Sequence, residues 1–354
     1  MKDGMMKALV FKGPKHFEVE ERPIPACGPD EILVRVRYGG VCGTDNRIYQ
    51  GTKIIEAPRI TGHEFSGRIE TIGENVEGYH VGQRVSVYPM IYCGTCHCCQ
   101  EGRTNICVNR TTIGYEIDGG FAQYVKIPKE AIACGNVVEV PDSVSDEVAA
   151  ISEPIAAAYH GIQQAQLKDG DVFVIVGAGP IGLFHVQLSK SVNLSKLIVI
   201  EPIAEKRAMA AEMGADIVID PTTENALDII MEASGKRGAD AVIIDVGVPS
   251  VLEQSLAYVK KGGRFVIFAG NPVGSRVSID PNVIHYKELV VTGSSSSSAD
   301  NQREVFRLLD SGKVDCSKMV SGVFSLEQWQ TAFEMKANYK GIKTVLDPWK
   351  EDVQ

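Results

Sequence analysis

The sequence lacks long apolar runs and an excess of positive charge. None of its apolar runs approaches the roughly 20 residues that a membrane-spanning helix needs, and its first six residues lack the apolar core of a secretory signal peptide. Lys and Arg number 36 against 45 Asp and Glu, so the net charge is -9. An acidic chain without a basic stripe is not expected to bind nucleic acid or anionic membranes. We therefore expect a cytoplasmic protein with neither kind of partner.

Size and composition indicate a globular protein with more than one domain. A chain of 354 residues, 44% hydrophobic and 23% charged, is close to the globular average. It is long enough to build two hydrophobic cores. The 35 glycines are typical of a turn-rich β domain.

Cysteines are the most informative residues present. There are nine, and an odd number without an export signal favours a reducing compartment with thiolate ligands over disulfides. Four of them have the spacing C-x2-C-x2-C-x7-C, which lets the thiolates surround one tetrahedral Zn²⁺. Such a site leaves no open position, so we predict a structural zinc in a lobe over 93–107. The four ligands are Cys93, Cys96, Cys99 and Cys107.

Other interpretations of this cluster are weaker. Four unrelated thiols or a redox pair would not need so regular a spacing. A zinc ribbon that binds nucleic acid conflicts with the acidic net charge. Cys98 fits the spacing less well than its neighbours, and we interpret it as a bystander.

A second group of metal donors stands nearer the N-terminus. Cys42 lies in Val-Cys-Gly-Thr-Asp, and His63 and Glu64 lie together in a segment bracketed by glycines. They offer sulfur, nitrogen and oxygen, and a catalytic zinc needs about three protein ligands and one open position. Each alone could be an ordinary buried thiol, satisfied histidine or surface acid. Glu153, where the pattern of the chain changes, is a further candidate ligand.

The pattern of the first 155 residues predicts a β-rich domain. Short alternating or β-branched runs are separated by Gly and Pro turns, which is typical of a barrel-like or partly open antiparallel structure. The predicted strands are Lys7–Phe11, Glu31–Tyr38, Gly67–Thr71, Gln83–Tyr88 and Ala122–Ile127.

After a predicted helix over Ala156–Gln166, continuous apolar strands alternate with helices. This pattern predicts a doubly wound parallel sheet, so the fold class is α/β. The predicted strands are Val172–Val176, Leu197–Ile200, Ile217–Ile219, Ala241–Asp245, Arg264–Phe268 and Glu288–Thr292. The predicted helices are Ile181–Ser191, Ala204–Met213, Leu227–Ser234, Ser250–Lys260, Gln302–Ser311 and Leu326–Lys336, and a last strand is Thr344–Leu346.

A glycine-rich loop follows the first of these parallel strands. Gly177, Gly179 and Gly182 form G-x-G-x-x-G, with Pro180 and Ile181 opening the next helix. In this context the glycines allow a tight turn, close approach of a pyrophosphate and close helix–strand packing, and the helix N-terminus favours the anion. The alternative is a turn that only packs a helix.

An acidic residue ends the next strand. Glu201 could accept hydrogen bonds from ribose hydroxyls and would repel a 2′-phosphate, which favours NAD over NADP. A solvated strand-end acid remains the alternative, and Lys206 or Arg207 nearby could bind a phosphate. Ala269 and Gly270, directly after the strand Arg264–Phe268, complete the cofactor-binding candidates.

At these residues the sequence resembles the zinc-dependent medium-chain alcohol dehydrogenase family, over nearly its whole length. Within the family it is most similar to the polyol (sorbitol-like) and threonine dehydrogenase branch. The resemblance implies a GroES-like catalytic domain over 1–155 and 299–354 and a Rossmann domain over 156–298. The shared motifs are Gly62-His63-Glu64-x-x-Gly67, the lobe 93–107, Asp118–Tyr124, Ser152-Glu153-Pro154 and the loop 177–182.

The resemblance also implies roles for single residues. Cys42, His63, and Glu64 and/or Glu153 would hold a catalytic zinc, beside one structural zinc per chain. Thr44 would relay the substrate proton. Glu201 and Lys206 would hold the adenosine ribose of NAD, and the chain would form a homodimer or homotetramer.

Two positions depart from the branch. Its members often carry a histidine five residues after the zinc-ligand cysteine, as the outer end of the proton relay, where this chain has Arg47. Arginine does not titrate at useful pH, so Arg47 could bind cofactor phosphate or an anionic substrate group, or be a surface residue. The serine tract Ser294–Ser298 replaces a stretch that often supplies a substrate-binding arginine.

These observations predict a zinc-dependent, NAD-linked dehydrogenase. We expect it to oxidise a secondary alcohol of a polyol, sugar alcohol or sugar acid, phosphorylated or not, with Thr44, Glu153 and Arg47 as catalytic residues. The alternative substrate is a 2-amino-3-hydroxy acid, as in L-threonine 3-dehydrogenase. An alternative of another class is a non-catalytic zinc- and nucleotide-binding protein.

Overall fold

A computed structural model of the protein describes residues 4–337 and 341–351. The chain divides into two compact units. The first comprises Met1–Ala156, Ser297–Asp310 and Ser317–Gln354, and the second comprises Ala157–Ser296 and Ser311–Cys316.

The N-terminal part of the first unit is mainly β-structure. Its strands are β1 (Met5–Gly13), β2 (His16–Pro23), β3 (Ile32–Gly40), β4 (Arg59–Ile60), β5 (Glu64–Ile72), β6 (Arg84–Val87), β7 (Met90–Ile91), β8 (Thr111–Thr112), β9 (Tyr124–Ile127) and β10 (Val137–Glu139). Its helices are α1 (Gly43–Tyr49), α2 (His97–Gln100), α3 (Lys129–Ala133), α4 (Asp146–Ala150) and α5 (Ser152–Ala165), which continues into the second unit.

The second unit alternates strands and helices. Its strands are β11 (Val172–Val176), β12 (Lys196–Ile200), β13 (Ile217–Ile219), β14 (Ala239–Ile244), β15 (Val259–Ile267) and β16 (Val290–Gly293). Its helices are α6 (Pro180–Ser189), α7 (Ala204–Glu212), α8 (Ala226–Ala233), α9 (Pro249–Ser255) and α10 (Pro281–Lys287).

The chain then returns to the first unit, which it completes. The last elements are α11 (Ala299–Asp310), β17 (Val320–Ser325), α12 (Trp329–Ala337) and β18 (Lys343–Asp347).

The first unit is organised around one seven-stranded sheet. Its order is β10-β6-β5-β3-β18-β17, with β9 also pairing with β3. Strand β18 pairs antiparallel with the end of β3, where Val345 faces Gly40. This pairing brings Lys343, at the start of β18, to the end of β3 that precedes α1. The C-terminal segment is therefore part of the same sheet as the candidate ligands.

The second unit contains a six-stranded, fully parallel sheet. Its order is β13-β12-β11-β14-β15-β16. Every residue of the central strand β11 is buried, which is why this strand is a continuous Val/Ile/Phe run rather than an alternating one. The α/β fold class with a doubly wound sheet is confirmed.

One prediction about local structure was wrong, and strand β2 was missed. The helix predicted over Ser250–Lys260 ends at Ser255, and β15 begins already at Val259 after a short 3-10 turn. Pairing with β14, which shifts register between Ala239 and Ala241, extends this strand across the glycines. Strand β2 was not predicted, because only Phe17 of its eight residues is buried and the rest are mostly charged.

In the described part of the chain, no helix is both long enough and apolar enough to cross a membrane.

Candidate metal centres and dinucleotide loop

The four cysteines of the lobe 93–107 come together in space. The sulfur of Cys96 lies 3.5 Å from that of Cys99 and 3.9 Å from that of Cys107, and the sulfurs of Cys107 and Cys93 are 3.5 Å apart. Four sulfurs around a tetrahedral zinc with Zn–S bonds of ~2.3 Å would stand ~3.8 Å apart. The cluster therefore fits one zinc ion.

Backbone groups of the lobe already point at these sulfurs. The N–H of Cys96 donates to Cys93 Sγ at 3.4 Å, and the N–H of Cys93 donates to Cys107 Sγ at 3.3 Å. Hydrogen bonds from the backbone and side chain of Thr95 lower the pKa of Cys93 to about 5. The lobe thus stabilises a thiolate, which is the form that binds a metal.

Cys98 lies outside this cluster. It is buried, and its sulfur contacts Nε2 of the adjacent His97 at 3.2 Å. Its place in the short helix α2 turns it away from the four-sulfur group, because neighbouring residues of a helix point to different sides.

The second candidate centre joins the end of β3 to the start of β5. Cys42 directly precedes α1, while His63 and Glu64 stand at the start of β5. One donor atom from each residue lies within 4.8 Å of the others. Both His63 and Glu64 are buried. The structure therefore brings together three of the four ligands predicted for the catalytic metal.

Two buried charged residues that the sequence analysis did not name surround this centre. Asp45 accepts a hydrogen bond from the N–H of Cys42 at 2.8 Å through Oδ2, and its Oδ1 lies 3.9 Å from Nδ1 of His63. Lys343 donates to Oε2 of Glu64 at 2.5 Å and to the carbonyl of Val41 at 2.8 Å. These contacts fix the orientation of the donors, as outer groups do at metal sites.

The charges in this centre depend on one another. Burial lowers the pKa of His63, but the neighbouring Cys42, Asp45 and Glu64 outweigh burial and raise it to about 10. Burial raises the pKa of Asp45 to about 6, although His63 acts against this shift. A protonated histidine must release this proton to solvent before its ring nitrogen can bind a metal ion.

Unsatisfied polar atoms at the same place support a metal. Nδ1 of His63, Oε1 of Glu64 and Oδ1 of Asp45 are buried and have no hydrogen-bond partner within the residues described. Buried polar atoms are rarely left without partners. Sulfur, nitrogen and carboxylate donors suit zinc, so the residues present fit this ion.

Glu153 lies close to the centre but is not part of its donor group. It stands in the first turn of α5 and is half-buried. Burial raises the pKa of Glu153 to about 7. The charges of His63 and Lys343 oppose this rise, whereas that of Glu64 adds to it. Glu153 is therefore within electrostatic range of His63 and Glu64, but none of its oxygens belongs to the donor group.

Thr44 and Arg47 lie on α1, just after Cys42. Nη2 of the exposed Arg47 donates to Oγ1 of Thr44 at 2.9 Å. The ring of Tyr115, which the sequence analysis did not name, lies 5.0 Å from the ring of His63. No spacing rule links residue 115 to the ligand motifs, so only the fold reveals this contact.

In the second unit, the glycine loop joins β11 to α6. Gly177 has a φ of +108°, and a Cβ on Gly182 would lie 1.9 Å from the carbonyl oxygen of Gly177. Gly179 precedes α6 and has open space around its Cα, while Pro180 and Ile181 are the first residues of that helix. The loop thus exposes the N-terminus of a ten-residue helix, which is a binding place for a pyrophosphate.

Glu201, at the end of β12, is tied to this loop. It is 4% exposed, and its carboxylate accepts hydrogen bonds from the N–H groups of Ala178 at 2.8 Å and Ile203 at 3.1 Å. Arg207 pairs with Asp220 at 2.9 Å instead of standing free. Glu201 therefore also stabilises the glycine loop, a role that the sequence motif alone did not indicate.

The remaining cofactor candidates also lie in the second unit. Lys206 is half-buried on α7. The N–H of Ala269 donates to the carbonyl of Ile244 at 2.9 Å, and Gly270 follows it at the exposed end of β15. Both therefore stand at the carboxyl ends of parallel strands, where doubly wound sheets bind ligands.

Comparison with known proteins places the chain among dehydrogenases. A model of the alcohol dehydrogenase GroES-like domain matches residues 28–142, and a model described as zinc-binding dehydrogenase matches residues 180–311. L-threonine 3-dehydrogenase from Bacillus subtilis (strain 168) is 34% identical over 357 residues, which cover 98% of this chain and 100% of the relative. Sorbitol dehydrogenase from the same organism is 32% identical, covering 97% of each chain.

Among solved structures, one from Sinorhizobium meliloti 1021 is described as a zinc-binding dehydrogenase bound to NADP. It matches with a TM-score of 0.90 and 33% identity, covering 97% of this chain and 99% of that chain. The similarity therefore includes both domains.

Proposed function

Because this chain belongs to the zinc-dependent medium-chain dehydrogenase family, we propose that it oxidises a secondary alcohol of a polyol, sugar alcohol or sugar acid, phosphorylated or not. The product is the ketone, and NAD accepts the hydride. The observation that carries this proposal is the group Cys42, His63 and Glu64, whose donor atoms lie within 4.8 Å of one another.

This donor group leaves room for substrate chemistry. Three protein ligands are the usual number for a catalytic zinc, whereas the four-sulfur lobe is closed. We assign one catalytic and one structural zinc to each chain. Zinc, when bound, supplies the positive charge that lowers the pKa of an alcohol hydroxyl.

Thr44 is the proposed proton acceptor nearest the metal. Its hydroxyl can accept a proton and donate its own, and Arg47 donates to its oxygen at 2.9 Å. This hydrogen bond orients the hydroxyl and favours negative charge on the oxygen during the transfer. Since arginine stays protonated, Arg47 acts by holding Thr44, and the proton that Thr44 donates passes to solvent.

Glu153 is proposed to assist at the metal. Its raised pKa of about 7 lets it take or release a proton near neutral pH, as a catalytic carboxyl requires. The structure supports Glu64 as the resting ligand, because its oxygen belongs to the donor group and that of Glu153 does not.

The second unit is proposed to bind NAD. Gly177, Gly179 and Gly182 would accommodate the pyrophosphate, and Glu201, whose carboxylate holds the loop, would face the adenosine ribose with Lys206. Engagement of Arg207 with Asp220 argues against its use for a 2′-phosphate. Because one similar solved structure contains NADP, the test compares NAD with NADP.

L-threonine is the second candidate substrate. The 34% identity to a threonine 3-dehydrogenase across the full length favours it. Arg47, beside Thr44, would offer a positive charge to the carboxylate of threonine.

We also propose that the protein is a cytoplasmic homodimer or homotetramer. Strand β16 is at the edge of its sheet, and Val290 and Val291 on it are 43% and 38% exposed. An exposed, apolar edge strand can pair with another chain.

The function is tested by the rate of nicotinamide reduction with zinc-loaded protein and NAD or NADP. The substrates are neutral polyols, sugar acids, polyol phosphates and L-threonine. We expect turnover with at least one secondary alcohol, faster with NAD, and its loss in Cys42→Ala, which keeps its cofactor binding. Cys27→Ala, outside both metal centres, is the control. A Cys42→Ala variant with normal turnover would refute the catalytic zinc assignment.

A further inference from the structure

A half-buried lysine stands beside the catalytic centre without a counter-ion. The ammonium of Lys53 lies 3.9 Å from the centroid of the Tyr115 ring. Within residues 4–337 and 341–351, no carboxylate comes within ion-pair distance of it, and Glu116 acts on it only from farther away. A cation over an aromatic face is held in place but keeps donors available for a ligand.

The fold directs this lysine towards the metal ligands. After α1 the chain turns back, and the N–H groups of Thr52 and Lys53 both donate to the carbonyl of Arg47, at 2.9 and 3.1 Å. Tyr115 also approaches His63, with 5.0 Å between the ring centroids. The same aromatic ring therefore contacts both the Lys53 ammonium and the proposed zinc ligand.

Two arginines act on Lys53 with like charge. Burial lowers the pKa of Lys53 most, the charges of Arg47 and Arg110 lower it as well, and those of Glu116 and Cys42 raise it. Glu116 already accepts the N–H of Thr112 through Oε2 at 2.8 Å. The like charges repel one another, and a bound anion would relieve this repulsion.

Resting on the proposed function, we infer that Lys53 is a specificity-determining residue that selects secondary alcohols carrying a carboxylate or phosphate over neutral polyols. Arg47 supplies the second positive charge, next to Thr44. The anionic group of the substrate binds the Lys53 ammonium over the Tyr115 ring while its alcohol reaches the centre at Cys42 and His63.

The expected size of the effect follows from charge-assisted hydrogen bonding. An interaction of this kind is worth about tenfold or more in binding. Replacing Lys53 by methionine keeps the length of the side chain and removes the charge, so the loss falls on anionic substrates alone.

The test compares wild type, Lys53→Met and the control Lys129→Met, an exposed lysine on α3. The substrates are sorbitol, gluconate and sorbitol 6-phosphate, which share a carbon skeleton and separate carboxylate from phosphate. For wild type we expect kcat/KM at least about tenfold higher with one of the anions than with sorbitol. Lys53→Met should lose that advantage and keep the value for sorbitol, whereas Lys129→Met should match wild type.

Calorimetric binding of the same three compounds to the zinc-loaded protein separates this inference from the proposed function. Weaker anion binding by Lys53→Met in a protein that oxidises none of them supports the anion site and refutes the proposed reaction with these substrates. Two results overturn the inference and leave the dehydrogenase function standing. One is that wild type turns over sorbitol as fast as both anions. The other is that wild type and Lys53→Met have equal anion binding and equal kcat/KM.

Discussion

At the scale of single residues, the proposed catalytic centre depends on buried charges that compensate one another. Lys343 is 3% exposed and pairs with Glu64, which is fully buried. Breaking a buried pair leaves an uncompensated charge and is strongly destabilising. Glu64 is therefore held by a residue 279 positions away along the chain.

Glu153 gives a prediction about stability and pH. Its pKa in the folded, metal-free chain is about 7, above the ordinary value of 4.5. The folded state therefore holds this proton more tightly than the unfolded state, and stability falls as pH rises from about 4.5 through 7. Without metal, Glu153→Gln should be more stable than wild type by about 2 to 3 kcal/mol at about pH 8 and nearly equal below about pH 4.5.

Urea denaturation of protein dialysed against a chelator measures this difference. Glu77→Gln, which replaces an exposed acid of the same unit, should match wild type at both pH values. An equal free energy of unfolding for wild type and Glu153→Gln at about pH 8 would contradict the account.

Residue types and local spacing made the two groups of metal donors predictable from sequence. The contacts of Asp45 and Tyr115 with His63 and of Lys343 with Glu64 were not, because they join segments that are far apart in sequence and meet only in the folded chain. Lys343 in particular has no local motif, and a lysine in sequence usually indicates an exposed residue.

At the scale of structural elements, the lobe 93–107 gives a prediction on metal content. Its cysteines surround one site and Cys98 points elsewhere, so wild type should bind two zinc ions per chain. Cys107→Ser should bind one, and amide hydrogen exchange in the lobe should accelerate because the metal replaces a core there. Cys98→Ser is the matched control.

Elemental analysis of the purified variants decides this point. Loss of zinc from Cys98→Ser equal to that from Cys107→Ser would show that the choice among the five neighbouring cysteines is wrong.

The glycine loop allows a comparison between two glycines of one motif. A Cβ on Gly182 meets the carbonyl of Gly177 at 1.9 Å, whereas one on Gly179 meets nothing within 4 Å, and the φ of Gly179 is -68°. Gly182→Ala should therefore lower the melting temperature by several degrees and weaken NADH binding. Gly179→Ala should keep the melting temperature and still weaken NADH binding, because its methyl group would occupy the pyrophosphate position.

Thermal unfolding and NADH fluorescence titrations measure the two effects separately. Normal NADH affinity in Gly179→Ala would mean that the loop does not receive the cofactor.

Strands with continuous apolar runs were predictable from sequence. Strands whose ends are set by pairing with a neighbouring strand were not. The parallel strand β11 has five buried residues in a row, which sequence reveals directly. Strand β15 extends to Val259 through Lys260–Gly263, where pairing with β14 overrides the weak local preference of glycine for strands. Only the partner strand supplies that information.

At the scale of the whole molecule, the exposed edge strand β16 gives a prediction on assembly. If copies of the chain join there, wild type should sediment as a dimer or tetramer. Val291→Lys places a charge on this edge and should shift the protein to a smaller species. Val81→Lys, at a 64% exposed position in the other unit, should not. A monomeric wild type in analytical ultracentrifugation would refute the assembly.

The measurement that tests the central claim most directly is the transfer of deuterium from the carbinol carbon of a substrate to the cofactor. A deuterated secondary alcohol and NAD are incubated with zinc-loaded protein in ordinary water, and the reduced cofactor is examined by mass spectrometry. The account predicts one deuterium on the nicotinamide ring, and none formed by Cys42→Ala. Reduced cofactor without deuterium, or reduction that continues unchanged in Cys42→Ala, would contradict it.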